Sequence, residues 1–311
     1  MNEAAPELWT PRKLLSWMRQ AFTKKGLDSP GLMSEILLAH VLSCDRLRLH
    51  MEADRPASSD ERSRLRDLVQ RALNHEPVQY LTGEAWFYGM PFKADRRALI
   101  PRPSTSTIID QVLQHARATP GFGGPAGPNA GEGVLLADVC TGSGCIAVAL
   151  LKHLPQARAI ATDLSPDALA LARENAERHK VSDRIEFLAG DLLSPFAQHP
   201  VAGAKGSLHY LVSNPPYIPD HEWDAVEPNV KDHEPHLALR GGPDGLRLVR
   251  PLIEQAPRFL RPRGLLLIQI AACTAEAASS LARSHPELAD VRIVRDIDGL
   301  DRVLVASRRE S

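Results

Sequence analysis

The sequence predicts an α/β domain built on a largely parallel sheet, preceded by a separate helical domain. Three observations carry that prediction. From Val134 onward short apolar runs alternate with amphipathic helical stretches, the pattern of parallel strands joined by right-handed crossovers. Between Thr10 and about Leu73 the apolar residues recur at helical intervals instead. At Asp138-Val-Cys-Thr-Gly142-Ser-Gly144 the first apolar run gives way to a helix through a glycine-rich loop, the position at which an open α/β sheet binds ligands. A length of 311 residues suits a catalytic domain of roughly 200 residues plus a smaller partner.

In chain order, residues 1–79 form the helical domain. Leu14, Leu15, Met18 and Phe22 mark one apolar face, and Leu37, Leu38, Val41 and Leu42 another. Thr10 before Pro11, and Ser59 before Asp60 and Glu61, are expected helix starts, because a hydroxyl satisfies an orphan amide and an acid suits the positive helix end. Residues 80–103 are a linker whose aromatic, glycine-punctuated stretch Trp86-Phe-Tyr-Gly-Met90 predicts a short β-hairpin. The α/β domain spans 104–311. A helix is expected over Ser104–Ala118, and the Gly- and Pro-rich stretch Thr119–Gly133 reads as a mobile loop.

Strands then follow at Val134–Val139, Ala157–Thr162, Arg184–Leu188, His209–Ser213 and Leu265–Ile270, with helices from Ile146, over Pro166–His179 and around Leu246–Phe259. Val291–Arg295 and Val303–Ala306, joined through Asp298-Gly299, read as an antiparallel pair at the edge of the sheet. No internal repeat of fixed period is visible.

Composition narrows the function. With 43% hydrophobic and 24% charged residues the chain is an ordinary globular protein. A net charge of -1 argues against a surface that grips extended nucleic acid. The basic run Arg12, Lys13, Arg19, Lys24, Lys25 reads as a solvated helix face, with a local basic patch as the other reading. Cys44, Cys140, Cys145 and Cys273 form no metal-binding or disulfide pattern and are expected to be thiols in a reducing compartment. His233 and His236 lack a third ligand nearby, so no metal is expected. Without a signal-like start or an apolar run of about 20 residues, the expected location is the cytoplasm.

Within the glycine loop, Asp138, Thr141, Gly142 and Gly144 are the first ligand-binding candidates, since glycines let backbone amides approach a ligand closely. Asp163 ends the next strand at about the interval at which a carboxylate reaches a ribose and accepts both hydroxyls. Its other reading, a helix cap, is better filled by Ser165. Asp191 ends the third unit and could accept an exocyclic amine or simply face solvent.

The fourth strand runs into Asn214-Pro-Pro-Tyr217. Consecutive prolines remove donors and stiffen the chain, leaving carbonyls aimed in fixed directions. A planar amide or aniline-like NH2 is a poor nucleophile with two donors; Asn214 Oδ1 and the Pro215 carbonyl can take one each and align the nitrogen with an electrophile. Tyr217 can lie over the planar group and exclude water.

This tetrapeptide, after Asp-Val-Cys-Thr-Gly-Ser-Gly, resembles the amino-methylating class of S-adenosylmethionine-dependent methyltransferases. Over nearly the whole chain it resembles the HemK-like protein-glutamine N5-methyltransferases, release factor branch. The segments are Tyr80-Leu-Thr-Gly83, Leu99-Ile-Pro-Arg-Pro103, Thr162-Asp-Leu-Ser-Pro-Asp-Ala168, Val212–Pro219, His233-Glu-Pro235 with Leu237-Ala-Leu239, and Gly241–Gly245. The resemblance implies the seven-stranded Rossmann-like sheet of class I methyltransferases, S-adenosylmethionine as cofactor, and the Gly-Gly-Gln glutamine of peptide chain release factors as acceptor. It implies that the helical domain helps to grip that protein; separately, a monomer and no specific nucleic-acid contact are expected. By the same resemblance Asn214 and Pro215 hold the glutamine amide and Tyr217 packs on it. The glycine loop with Asp163 and Asp191 holds the cofactor, and Arg102 belongs to a segment packed near it, a segment equally readable as a rigid connector.

Two departures stand out: Ser104-Thr-Ser106 where relatives tend to carry acids, and Gln269 where the fifth strand often ends in glutamate. Glu234 reads as a loop-organising carboxylate rather than a base. A ribosomal-protein glutamine, an adenine N6 or an inactive cofactor-binding role are the alternatives the sequence leaves open. The segment Ser34–His40 resembles the release factor branch more than the ribosomal one.

Overall fold

The computed structural model describes residues 8–310. The chain divides into two compact units. One ends at Glu84 and takes in Glu227–His233; the other comprises Ala85–Val226 and Glu234 onward.

In the first unit α1 (Pro11–Lys25) starts as expected: Thr10 accepts from the Lys13 amide at 3.4 Å and Pro11 occupies the first turn, while Gly26 closes the helix in the left-handed conformation. α2 (Pro30–Leu42) and α3 (Arg46–Met51) follow. α4 (Ser59–Leu73) is capped one residue earlier than its acids suggest. Ser58, not Ser59, accepts from the Glu61 amide at 3.2 Å, and Glu61 reaches back to the Ser58 amide at 2.8 Å. Only Ser58 has a glutamate at the third helical position to reciprocate. α5 (Val78–Thr82) takes up Tyr80-Leu81-Thr82 and ends at Gly83.

Leu14, Met18, Phe22, Leu37, Leu38, Leu65 and Val69 meet in the core of this unit. Each such side chain contributes roughly 1.5–3 kcal/mol on burial. The basic residues of α1 lie on its exposed side, Arg12 pairing with Asp54 at 3.0 Å.

β1 (Glu84–Phe87) and β2 (Met90–Lys93) form the expected hairpin. Its two-residue turn, Tyr88-Gly89, has φ of 49° and 74°, the positive pair that matches the twist of the flanking strands. α6 (Ser106–Ala118) leads into the sheet through β3 (Leu135–Val139), α7 (Cys145–His153), β4 (Arg158–Asp163), α8 (Pro166–Arg178), β5 (Ile185–Ala189) and β6 (Leu208–Ser213). After β7 (Ile218–Pro219) comes the single turn α9 (Pro228–Lys231) of the first unit. β8 (Arg240–Gly242), α10 (Val249–Phe259), β9 (Leu260–Gln269), α11 (Ala275–Ser284), β10 (Leu288–Arg295) and β11 (Asp301–Arg308) complete the chain.

The seven-stranded sheet has the order β10-β11-β9-β6-β3-β4-β5. All pairings from β9 to β5 are parallel; β11 runs antiparallel to both its neighbours. From β3 the chain winds outward through β4 and β5, then returns to place β6 on the other side of β3. The order reverses there, and the crevice for a ligand opens at the carboxyl ends of β3 and β6. Register aligns those ends: Val139 is opposite Thr162 on one side and Ser213 on the other, and Ser213 is opposite Ile268.

Side chains alternate between two apolar layers. Tyr210 and Val212 join α6 and α7 on one face, while Leu208 and Leu211 join α10 and α11 on the other.

Among the elements whose pattern was too weak to be foreseen are α11, whose apolar face is mostly alanine, and the parallel strands β7 and β8. The Thr119–Gly133 segment, expected to be loose, is instead anchored. Phe122 and Ala130 are buried in the core, Tyr210 Oη donates to the Phe122 carbonyl at 2.8 Å, and Gly131 donates to Gly123 at 2.7 Å. Two apolar anchors outweigh the Gly and Pro content around them. Among the described residues no helix is long and apolar enough to cross a membrane.

Candidate active site

The carboxyl ends of β3, β4, β5 and β6 surround one cavity of about 670 Å³, within the usual range for small-ligand sites. Its glycine loop is held from beneath. Asp138, wholly buried near the end of β3, accepts from Thr141 Oγ1 at 2.7 Å and from the Ala147 amide at 3.1 Å, tying the loop to the first turn of α7. Burial pushes the Asp138 carboxyl up to about 7, against those two hydrogen bonds.

Cys140, Gly142 and Gly144 all have left-handed φ, of 59°, 54° and 78°. At Gly144 a Cβ would stand 3.2 Å from Ala172 Cα, so the loop packs directly on α8.

Asp163 closes β4, and each of its carboxylate oxygens accepts one backbone amide. Oδ2 accepts the Gly142 amide and Oδ1 the Ser165 amide, both at 2.9 Å, and burial raises its pKa. Ser165 caps α8 through the Ala168 amide at 3.2 Å. Asp191 follows Gly190, whose backbone amide donates to the Asp163 carbonyl at 3.0 Å.

Across the crevice Ser213 Oγ donates to the Val139 carbonyl at 2.7 Å, fastening β6 to β3 just before Asn214. Asn214 Oδ1 is buried and has no hydrogen-bond partner among the described residues. The backbone after it is clamped: Ile218 donates to the Leu239 carbonyl at 3.0 Å, and Cβ atoms at Gly241 and Gly245 would come within 2.7 Å of Tyr217 C and 2.6 Å of Tyr217 O.

Of the residues predicted from sequence, Thr141, Gly142, Asp163, Asp191 and Asn214 line the cavity together with Pro216. Asp138, Gly144, Arg102, Pro215 and Tyr217 are not on the wall, although Pro215 and Tyr217 adjoin Pro216 in the chain. Arg102 pairs with buried Glu234, while Ile100 and Pro101 of its segment are on the wall. His233 Nε2 lies 3.2 Å from the Asn74 carbonyl, and His236 packs edge-on against Trp223. Among the described residues no group of three or more His, Cys, Asp or Glu side chains could hold a metal ion.

Comparison with known proteins adds a family to this geometry. Residues 13–83 match the PrmC N-terminal domain and residues 129–242 the methyltransferase small domain. A release factor glutamine methyltransferase from Chlorobaculum tepidum is 39% identical over 96% of this chain and 97% of its own length. The chain belongs to the release factor glutamine methyltransferase family. A second member, from Geobacter sulfurreducens, is 36% identical over 96% of this chain and 97% of its own. Among solved structures the hMettl16 catalytic domain, in complex with the MAT2A 3'UTR hairpin 6, shares the fold at a TM-score of 0.52. It is 16% identical, covering 80% of this chain and 81% of its own. The sheet is thus that of class I methyltransferases, as the sequence predicted.

One reading of this methyltransferase is filled in by the structure, and two features escaped the single motifs. Glu234 accepts the Ile100 amide at 3.0 Å as well as pairing with Arg102, so it organises the wall, in keeping with its sequence reading as an organiser. Gly241 and Gly245 are explained by their approach to Tyr217, which no local pattern announces. Thr105, between the two divergent serines, lines the cavity with a buried, unpartnered hydroxyl.

Proposed function

We propose that the chain transfers a methyl group from S-adenosylmethionine to the side-chain amide nitrogen, N5, of a protein glutamine, the Gly-Gly-Gln glutamine of a peptide chain release factor. The observation that carries this reading is the Asn214 carboxamide oxygen, buried, unpartnered and on the wall of the cavity. A buried acceptor left without a donor costs about 1–3 kcal/mol unless a ligand supplies one.

The residues present fit the cofactor. Carboxylates at successive strand ends, Asp163 and Asp191, suit vicinal hydroxyls and an exocyclic amine. Gly142, whose Cβ position has nothing nearer than Ala98 at 3.9 Å, lets a ligand meet bare backbone. When bound, S-adenosylmethionine supplies an electrophilic methyl group.

The chain's own residues do the rest. Asn214 Oδ1 and the Pro215 carbonyl each accept one N–H of the glutamine amide, fixing its plane and weakening the delocalisation that makes its nitrogen unreactive. The stiff Pro215-Pro216 backbone holds those acceptors without adjustment at the moment of reaction. Tyr217 covers the planar group. No strong base is needed, because the nitrogen's proton becomes acidic only as the new bond forms.

The helical unit's match to the PrmC N-terminal domain, and relatives named for release factors, support a protein acceptor in the cytoplasm; the net charge of -1 weighs against a nucleic acid. The test is incubation with methyl-labelled S-adenosylmethionine and purified release factors. Label on the wild-type factor, and none when the Gly-Gly-Gln glutamine is replaced, is expected. Equal label on both factors, or label only on ribosomal protein or RNA supplied in parallel, would overturn the reading.

A further inference from the structure

Asn214 and Gln269 stand level at the carboxyl ends of neighbouring strands. Ser213 is opposite Ile268 in the β6–β9 register, so the next residue of each strand faces the same edge. Both carry a carboxamide whose buried oxygen has no hydrogen-bond partner among the described residues. The cavity lies against Asn214; Gln269, wholly buried, instead donates from Nε2 to Tyr217 Oη at 3.1 Å.

Tyr217 is therefore held at both ends. Its backbone is pressed by Gly241 and Gly245, and the tip of its ring is tied to β9. A ring attached through its backbone alone retains rotation about two side-chain torsions. The bond at Oη removes that freedom without touching the crevice.

The residue type matters as well. A carboxylate at a wholly buried position, with one phenol as its partner, would bear the cost of burying charge. A carboxylate could only accept from the phenol, whereas an amide can donate to it or accept from it and carries no charge. With Gln269 donating, Tyr217 keeps its own hydroxyl proton. With the amide turned end for end, Tyr217 would donate instead.

We infer that Gln269 is a positioning residue that fixes the Tyr217 ring over the acceptor amide. This rests on the glutamine-methylation reading, and its readouts separate the two. It predicts that Gln269→Leu and Tyr217→Phe each lower kcat about 5- to 20-fold, with cofactor affinity changed less than about 2-fold. The double variant should be no slower than the slower single one, because both remove one interaction. Gln269→Glu keeps a hydrogen-bonding partner for the phenol and should recover part of kcat, with an added ionisation in its pH profile.

Fluorine NMR of 3-fluorotyrosine protein reports on the ring directly. With four tyrosines in the chain, the Tyr217 signal is the one lost in Tyr217→Phe. Gln269→Leu should shift or broaden that signal, whichever acceptor the enzyme uses. Full kcat in Gln269→Leu, multiplicative losses in the double variant, or an unmoved Tyr217 signal would overturn the inference. Absence of transfer by the wild type to any release factor would sink the underlying function instead, leaving the fluorine measurement to decide the Tyr217–Gln269 coupling.

Discussion

Glu234 accepts the backbone amide of Ile100 across 134 residues of sequence. The same carboxylate pairs with Arg102, so Glu234 ties the Ile-Pro-Arg-Pro segment to the chain at Pro235, and Ile100, Pro101 and Pro235 all line the cavity. Burial raises the Glu234 pKa, opposed by Arg102 and the Ile100 amide. Replacing Glu234 by Ala strands a buried N–H and frees a guanidinium that is partly exposed and can hydrate. A loss of about 1–3 kcal/mol is expected in urea unfolding, with a smaller loss for Glu234→Gln, which still accepts from Ile100. Equal losses for the two would show that the Ile100 bond contributes nothing.

Asp138 gives a pH dependence with a definite sign. Its carboxyl titrates near 4 when unfolded and is pushed up to about 7 by burial, so the folded chain holds a proton that the unfolded chain releases. The resulting stabilisation is present below the unfolded value and is lost as pH rises through about 7. Asp138→Asn keeps an acceptor for Thr141 and Ala147 and cannot titrate. The difference in unfolding free energy between wild type and this variant should therefore change between pH 4 and 8, the wild type losing ground as pH rises. A constant difference would contradict the buried proton.

Much of this architecture was legible because strands, crossovers and glycine turns repeat a period in the chain itself. Asp163, Asp191 and Asn214 fell at strand ends by counting alone. Distance in sequence hid the rest: the contact of Gly241 and Gly245 with Tyr217, the Glu234–Ile100 bond and the Gln269–Tyr217 bond join segments that no local window contains. The Thr119–Gly133 segment misled for a related reason. Its Gly and Pro content describes local freedom, whereas Phe122 and its bond from Tyr210 are tertiary.

The Asp163 carboxylate serves the loop and, in the proposed function, the cofactor ribose. Asp163→Asn retains one acceptor for Gly142 or Ser165 but loses the charge. It should weaken S-adenosylmethionine binding by roughly 10-fold in calorimetry, since hydrogen bonds to ionised acceptors are about twice as strong as neutral ones. Thermal stability should fall modestly, because one of the two backbone amides loses its acceptor, a cost of about 1–3 kcal/mol that relief from burying the charge offsets in part. Unaltered affinity would remove Asp163 from the cofactor site.

Asn214→Ala separates chemistry from binding. The lost acceptor acts on the reacting nitrogen, so turnover should fall on the order of a hundredfold while cofactor affinity stays within a few-fold. Asn214 Oδ1 has no partner among the described residues, so its removal leaves no donor there stranded and the fold should survive. Wild-type turnover in this variant would refute the role assigned to it.

Gly245 tests the clamp on the acceptor loop without altering any group that touches a ligand. Its φ of 75° is one that side chains rarely adopt, and a Cβ would sit 2.6 Å from the Tyr217 carbonyl oxygen and 3.0 Å from Pro219 Cγ. An alanine there must displace the Asn214–Tyr217 backbone or strain its own, at a cost of about 1–3 kcal/mol. Gly299, at a φ of 77° with nothing within 4 Å, carries the same conformational penalty and no contact, which makes it the control. Gly245→Ala should lose turnover at least tenfold more than Gly299→Ala at matched fractions folded, as measured by circular dichroism alongside methyl transfer. A misplacement of the acceptors by about 1 Å is enough for that loss. Equal turnover in the two variants would mean that the proximity of Gly245 to Tyr217 does not set the acceptor geometry.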